Sequence, residues 1–153
     1  MPDKAGIKLK TIIRDRALGL GFDVVGFTTA DADPLDAKAL AEFLRQGRQG
    51  HMTWLNNADG RRGNPMALMP SAKTIIVLGA NYGPTADAIE TPHDRGEISV
   101  YARGRDYHDV LKKKMKQLVR WLVETQNCNA KVFVDTAPIM EKPLAQRAGI
   151  GWQ

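Results

Sequence analysis

Apolar positions recur along this chain at two periods, and the two alternate. Leu9, Ile12, Ile13, Ala17 and Leu20 fall at helical spacing, with Lys8, Lys10, Arg14 and Arg16 between them. That pattern predicts a first helix, ended by Gly19 and Gly21. Phe22 to Thr28 then reads as a buried strand centred on Val24-Val25-Gly26-Phe27, with a turn at Thr28-Thr29-Ala30-Asp31. A second helix is expected from about Leu35 to Gln46, with Leu40, Phe43 and Leu44 inward and Gly47 just past its end. Gly50 to Pro70 follows neither period. Within it, Met52-Thr53-Trp54-Leu55 suggests a short helical turn, and Asp59 to Pro65 reads as loop.

Thr74 to Tyr82 is the clearest strand, and its unbroken apolar centre fits a strand covered on both faces. Residues 83–98, with Thr85, Pro92, His93 and Asp94, read as a mobile surface loop, and Ile98 to Tyr101 as a short extended piece. Asp106 to Thr125 is the longest predicted helix. Asp106 serves as its N-cap, with Asp109 as reciprocal partner, and Leu111, Met115, Leu118 and Leu122 form its apolar stripe. Lys131 to Val134 reads as a final strand that ends in Asp135. A Thr136-Ala137-Pro138 turn and a helix through Leu144 and Ala148 follow. The sum is an α/β fold: a mixed sheet with helices on its faces, in one domain over residues 1–153, without repeat or linker.

Asp135 is the first candidate for chemistry. A carboxylate at the end of a strand either caps the next helix and fixes the turn, or stands at the sheet edge where open α/β folds bind ligands. The local sequence leaves both readings open.

Charge adds a second candidate. The chain carries a net +5 with an isoelectric point near 9.5. Between Arg103 and Arg120 lie seven basic residues and two acids, a local excess equal to that of the whole chain. Such a run is usually the wet face of a helix. It also suits phosphate contacts, which give affinity without reading sequence.

Several chemistries drop out. One cysteine, Cys128, excludes an intrachain disulfide and a cysteine-rich metal site. No Gly-x-Gly-x-x-Gly follows a strand, no Walker A motif occurs, and His51, His93 and His108 have no metal-ligand spacing. Met1-Pro2-Asp3-Lys4 lacks a signal-peptide apolar segment, and the longest apolar run, Ile75 to Ala80, is far short of the roughly 20 residues of a membrane helix. A cytoplasmic monomer with no membrane association is expected.

Three stretches carry a family resemblance: Val25-Gly26-Phe27-Thr28-Thr29-Ala30, Tyr101-Ala102-Arg103-Gly104-Arg105-Asp106-Tyr107-His108-Asp109-Val110-Leu111, and Phe133-Val134-Asp135-Thr136-Ala137-Pro138 with the segment on to Gln153. Their order and spacing resemble epoxyqueuosine reductases, from the first strand to the last residue. The resemblance implies reduction of the epoxide of epoxyqueuosine in tRNA to the alkene of queuosine, the last step of that modification. It implies cobalamin and two [4Fe-4S] clusters, an external electron donor, and the corrinoid-binding domain also found in reductive dehalogenases. The reduction needs two electrons and a proton for the departing oxygen, and a partly desolvated acid near the corrin would deliver that proton.

Carried over residue by residue, Asp135 matches the family's proton donor. Arg62 and Ser99, with Asp135, fall where the corrinoid is contacted. Lys142 is positioned to face the substrate phosphate or ribose, and Lys112, Lys113 and Lys116 to meet the tRNA. Asp106-Tyr107-His108 also resembles the start of a cobalamin-ligating Asp-x-His-x-x-Gly motif. The glycine position is Leu111, so that motif fails and His108 is expected to be structural, leaving a corrinoid base-off. The cysteine motifs that hold the family's clusters are absent, so this chain is expected to supply corrinoid-site residues, no cluster ligand, and no self-sufficient turnover.

Two rivals remain at this point. A non-catalytic RNA-binding module would rest on the basic helix alone. A phosphohydrolase with Asp135 as nucleophile would want a second acid two residues on, where this chain has Ala137.

Overall fold

The computed structural model describes residues 4–56, 60–83, 94, 96 and 98–151. In order its elements are α1 (Lys4–Gly19), β1 (Val24–Thr29), α2 (Pro34–Arg45), β2 (Thr74–Gly79), α3 (Tyr107–Gln126) and α4 (Glu141–Arg147), with short 3₁₀ turns between β1 and α3. The chain divides into two compact units, one of Met1–Val24 with Gly79–Asp135, the other of Val25–Leu78 with Thr136–Gln153.

The first unit is built on α1 against α3. The helical spacing read in the sequence is what makes this pairing possible. Ile13 and Ala17 of α1 and Leu118 and Leu122 of α3 are buried, joined by Phe22 and Val134. Asp106 caps α3 as expected, its Oδ1 accepting from the His108 amide at 2.8 Å. Asn127 closes the helix in the left-handed conformation, φ 47°, which asparagine tolerates better than most residues. One lysine of the basic run turns inward: Lys114 Nζ donates to the Gly21 carbonyl at 2.8 Å and lies 5.7 Å from the centre of the Phe22 ring.

In the second unit Pro34 stands in the first turn of α2, and Asp33 caps it by accepting from the Leu35 amide at 2.9 Å. The turn at Arg61–Gly63 packs on α2, where a Cβ on Gly63 would come within 3.2 Å of that of Ala37. Ala30, Pro65 and Leu144 are buried here. Gly26 explains itself: a Cβ there would lie 2.5 Å from the Ala148 carbonyl oxygen. Only a residue without a side chain lets β1 approach the end of α4 so closely.

The expected mixed sheet is corrected to a two-stranded one, β1 with β2. Bonds from Asp23 N to Gly79 O and from Ala30 N to Lys73 O run the pair antiparallel. Lys131–Val134, read as a strand, is not paired as one. Its apolar residues are used for burial, Val134 above all, while β1 and β2 take their ladder from each other. Residues of β2 are half-buried rather than covered on both faces. Ile98–Tyr101 is not extended either, because a 3₁₀ turn covers Val100–Ala102. Residues 84–93 of the expected surface loop lie outside the described residues.

Candidate functional site

Asp135 ends the first unit in a backbone conformation that β-carbon sterics disfavour. Its φ is 50°, left-handed. Aspartate, like asparagine, tolerates this conformation better than most residues, and it turns the chain sharply after Val134. The carboxylate meets the start of α3. Tyr107 donates its phenolic hydrogen to Asp135 Oδ2. His108 Nε2 lies 3.8 Å from the same oxygen, and His108 Nδ1 lies 2.7 Å from Asp106 Oδ1. The sequence builds this in one step: capping α3 with Asp106 sets the next two side chains, Tyr107 and His108, at the carboxylate that follows Val134.

Aromatic packing fixes the tyrosine. Its ring is stacked on His108 with centroids 4.0 Å apart, and Tyr101 meets it edge-on at 6.2 Å. Tyr82 meets Tyr101 in turn, edge-on at 6.5 Å. Edge-to-face and offset pairs of this kind hold ring orientation as well as burying area.

Electrostatics assign the protons. The hydrogen bond to the Asp135 carboxylate pushes the Tyr107 phenol up to about 12, so Tyr107 keeps its proton and donates. Hydrogen bonds from the His108 ring and amide hold Asp106 below the usual carboxylate range. Asp106 is therefore acceptor-only, Nδ1 carries the hydrogen, and Nε2 is the atom left to face Asp135.

Arg62 and Lys142 belong to the second unit. There a cleft is lined by Arg62, Arg147, Asp36, Pro65, Met140 and Leu144. Arg62 Nη2 donates to the Trp54 carbonyl at 3.0 Å, and its guanidinium carbon lies 4.9 Å from the indole centre. Arg147 Nη1 donates to the Asp31 carbonyl at 3.0 Å. Both Nε atoms are buried without a hydrogen-bond partner. Burial, with Asp33 adding to it, raises Asp36 above its ordinary value, while Arg147 pulls the other way. Two guanidinium groups at one cleft favour a ligand that carries acceptor oxygens. Lys142 is exposed on the first turn of α4.

Ser99 precedes the Val100–Ala102 turn, exposed, with no side-chain cap bond. Lys112, Lys113 and Lys116 are exposed on α3. Among the described residues no group of three His, Cys, Asp or Glu side chains is placed to hold a metal, and no helix is long and apolar enough to cross a membrane.

Two expectations change. Asp135 is not a desolvated acid at a sheet edge: its side chain is 48% exposed, because no strand pairs beneath it. His108, expected to be structural, also lies close to that carboxylate, its Nε2 3.8 Å from Asp135 Oδ2. The sequence had signalled both neighbours through a stretch that carries the family resemblance and through a motif that failed. Arg147 carried no local signal, lying far along the chain from Arg62.

Comparison with known proteins decides the family. The family profile described as epoxyqueuosine reductase QueG, DUF1730, matches residues 62–136. An epoxyqueuosine reductase of Gloeobacter violaceus is 40% identical over 142 residues, 92% of this chain and 43% of that protein. The chain belongs to the epoxyqueuosine reductase family. Two solved structures agree with that membership. One is an epoxyqueuosine reductase with an epoxyqueuosine-modified tRNA-Tyr stem loop, at TM-score 0.78 and 31% identity over 95% of this chain and 39% of that one. The other, from Bacillus subtilis, has an aspartate-bearing catalytic loop swung out of the active site, at TM-score 0.76 and 28% identity over 95% and 39%. This chain thus spans less than half the length of these relatives.

Proposed function

We propose that this chain is the amino-terminal, corrinoid-binding and catalytic portion of an epoxyqueuosine reductase, acting on epoxyqueuosine in tRNA and leaving queuosine. One observation carries the reading: in a member of this family, the aspartate matching the proton donor is held in a left-handed backbone and gripped by Tyr107. Asp135 gives its proton to the epoxide oxygen as the carbon–oxygen bond breaks. Tyr107 aims the carboxyl group and keeps its own proton throughout. Arg62 and Arg147, which line one cleft, hold acceptor groups of the corrinoid, with Ser99 as a further contact. Cobalamin, when bound, supplies the electrons for the reduction.

The fold expected of the complete site is that of the reductive-dehalogenase corrinoid domain, and residues 1–153 form its catalytic domain. The [4Fe-4S] clusters belong to other parts of the protein, since Cys128 is the lone cysteine here. An external donor reduces them. The tRNA meets the exposed Lys112, Lys113 and Lys116, and Lys142 reaches its ribose or phosphate. The relative bound to a tRNA stem loop supports that partner. The enzyme works as a cytoplasmic monomer. The phosphohydrolase reading loses ground, because Asp135 meets a tyrosine and a histidine rather than a second acid.

The test is Asp135→Asn in the full-length enzyme, assayed for conversion of epoxyqueuosine to queuosine in tRNA. Loss of the acid should slow turnover by about 10²- to 10⁴-fold. A rate near wild type would remove Asp135 from the chemistry.

A further inference from the structure

The balance of the reaction asks for more than one acid holds. Converting an epoxide to an alkene expels the oxygen as water. Two carbon–oxygen bonds break, one carbon–carbon π bond forms, and two electrons and two protons enter. The electrons come from the enzyme's one-electron reductant. The first proton goes to the oxygen at ring opening, the second as it departs. A single carboxylic acid carries one proton, so Asp135 must be reloaded within the turnover.

Among the described residues, His108 is placed to be that source. Tyr107 is excluded, its phenol held at about 12. His108 Nε2 faces Asp135 Oδ2 at 3.8 Å, just beyond direct hydrogen-bond length. Its Nδ1 is anchored at 2.7 Å on Asp106 Oδ1, and Tyr107 stacks on its ring. An imidazole fixed at one nitrogen by a carboxylate and aimed with the other is the geometry of a proton shuttle. The side chain is 39% exposed, so it can recharge from water.

We propose that His108 is a positioning and relay residue that returns a proton from Nε2 to the Asp135 carboxylate between the two protonations, with Asp106 fixing its tautomer. This rests on Asp135 being the acid. The transfer is balanced: imidazolium and carboxylate become imidazole and carboxylic acid, and a proton taken up from bulk solvent restores the imidazolium. The charged and titratable groups around the ring are Asp106 before α3, Tyr107 beside it, Asp135 from the turn after Val134, and Asp109 and Lys112 within one turn along α3.

Two measurements on the full-length enzyme test it. In cofactor-free protein labelled at histidine, the His108 resonance, identified as the one lost in His108→Gln, is followed by NMR. Asp135→Asn should shift that resonance, because His108 Nε2 faces the Asp135 carboxylate at 3.8 Å. An unmoved resonance would show the two groups uncoupled and overturn the relay. The second measurement is turnover. His108→Ala should lose about 10- to 100-fold at neutral pH, and added imidazole should restore much of that. A folded His108→Ala enzyme with wild-type turnover, or with a loss that imidazole leaves untouched, would overturn the proposal. An active Asp135→Asn enzyme would instead remove the acid itself, and is distinguishable because the NMR coupling would persist.

Discussion

At the scale of single residues, the pair Tyr107–Asp135 makes a measurable claim about protons. The phenol is raised from 10.0 to about 12 chiefly by its hydrogen bond to the carboxylate. A raised group binds its proton more tightly in the folded state. Its contribution to stability is therefore complete below the unfolded value near 10.0 and is lost as pH rises toward 12. Tyrosinate absorbance should show one tyrosine titrating last, near the top of that window. Asp135→Asn should return it toward the ordinary value, and a titration curve unchanged by that substitution would mean the hydrogen bond is not made. The left-handed backbone of Asp135 belongs to the same picture, since the turn it makes presents the carboxylate to Tyr107 and His108.

At the scale of elements, helices were more legible than strands, and the reason is where each finds its partners. A helix satisfies its backbone internally, so the period of Ile13 and Ala17 or of Leu118 and Leu122, with Asp106 and Asp33 as caps, is enough to place it. A strand needs a neighbour. Lys131–Val134 has a strand's composition, but burial of Val134 uses that character without a ladder. The same limit hid the site: Asp135 was visible as a strand-end acid, while the meeting of Arg147 with Arg62 at one cleft depends on tertiary contact. Gly26 shows a sequence feature whose cause only packing reveals. Its missing Cβ would fall 2.5 Å from a backbone oxygen and 2.8 Å from both Ala148 Cβ and Ile150 Cγ1. Backbone cannot rotate away as a side-chain tip can. Gly26→Ala should therefore destabilise the protein by about 1–3 kcal/mol in chemical denaturation, and a neutral result would show that β1 and the end of α4 separate easily.

At the scale of the whole molecule, the excess positive charge is concentrated on one helix, and only part of it is available to a partner. Lys114 is committed to Gly21 and Phe22. Lys112, Lys113 and Lys116 remain exposed, and Arg120 follows Lys116 one turn later. On a solvated helix face these charges do little. Against a tRNA each that meets a phosphate releases a counterion, and binding becomes steeply dependent on salt. The two cases separate by slope rather than by affinity at one condition. Replacing Lys112, Lys113 and Lys116 with glutamine in the full-length enzyme should weaken tRNA binding and flatten the plot of log affinity against log salt by about 2 to 3 units, near 0.7 to 0.9 per phosphate lost. The loss should be uniform across tRNA sequences, because phosphate contacts position without reading bases. An unchanged slope would return this face to the solvent and leave recognition of the tRNA to other surfaces.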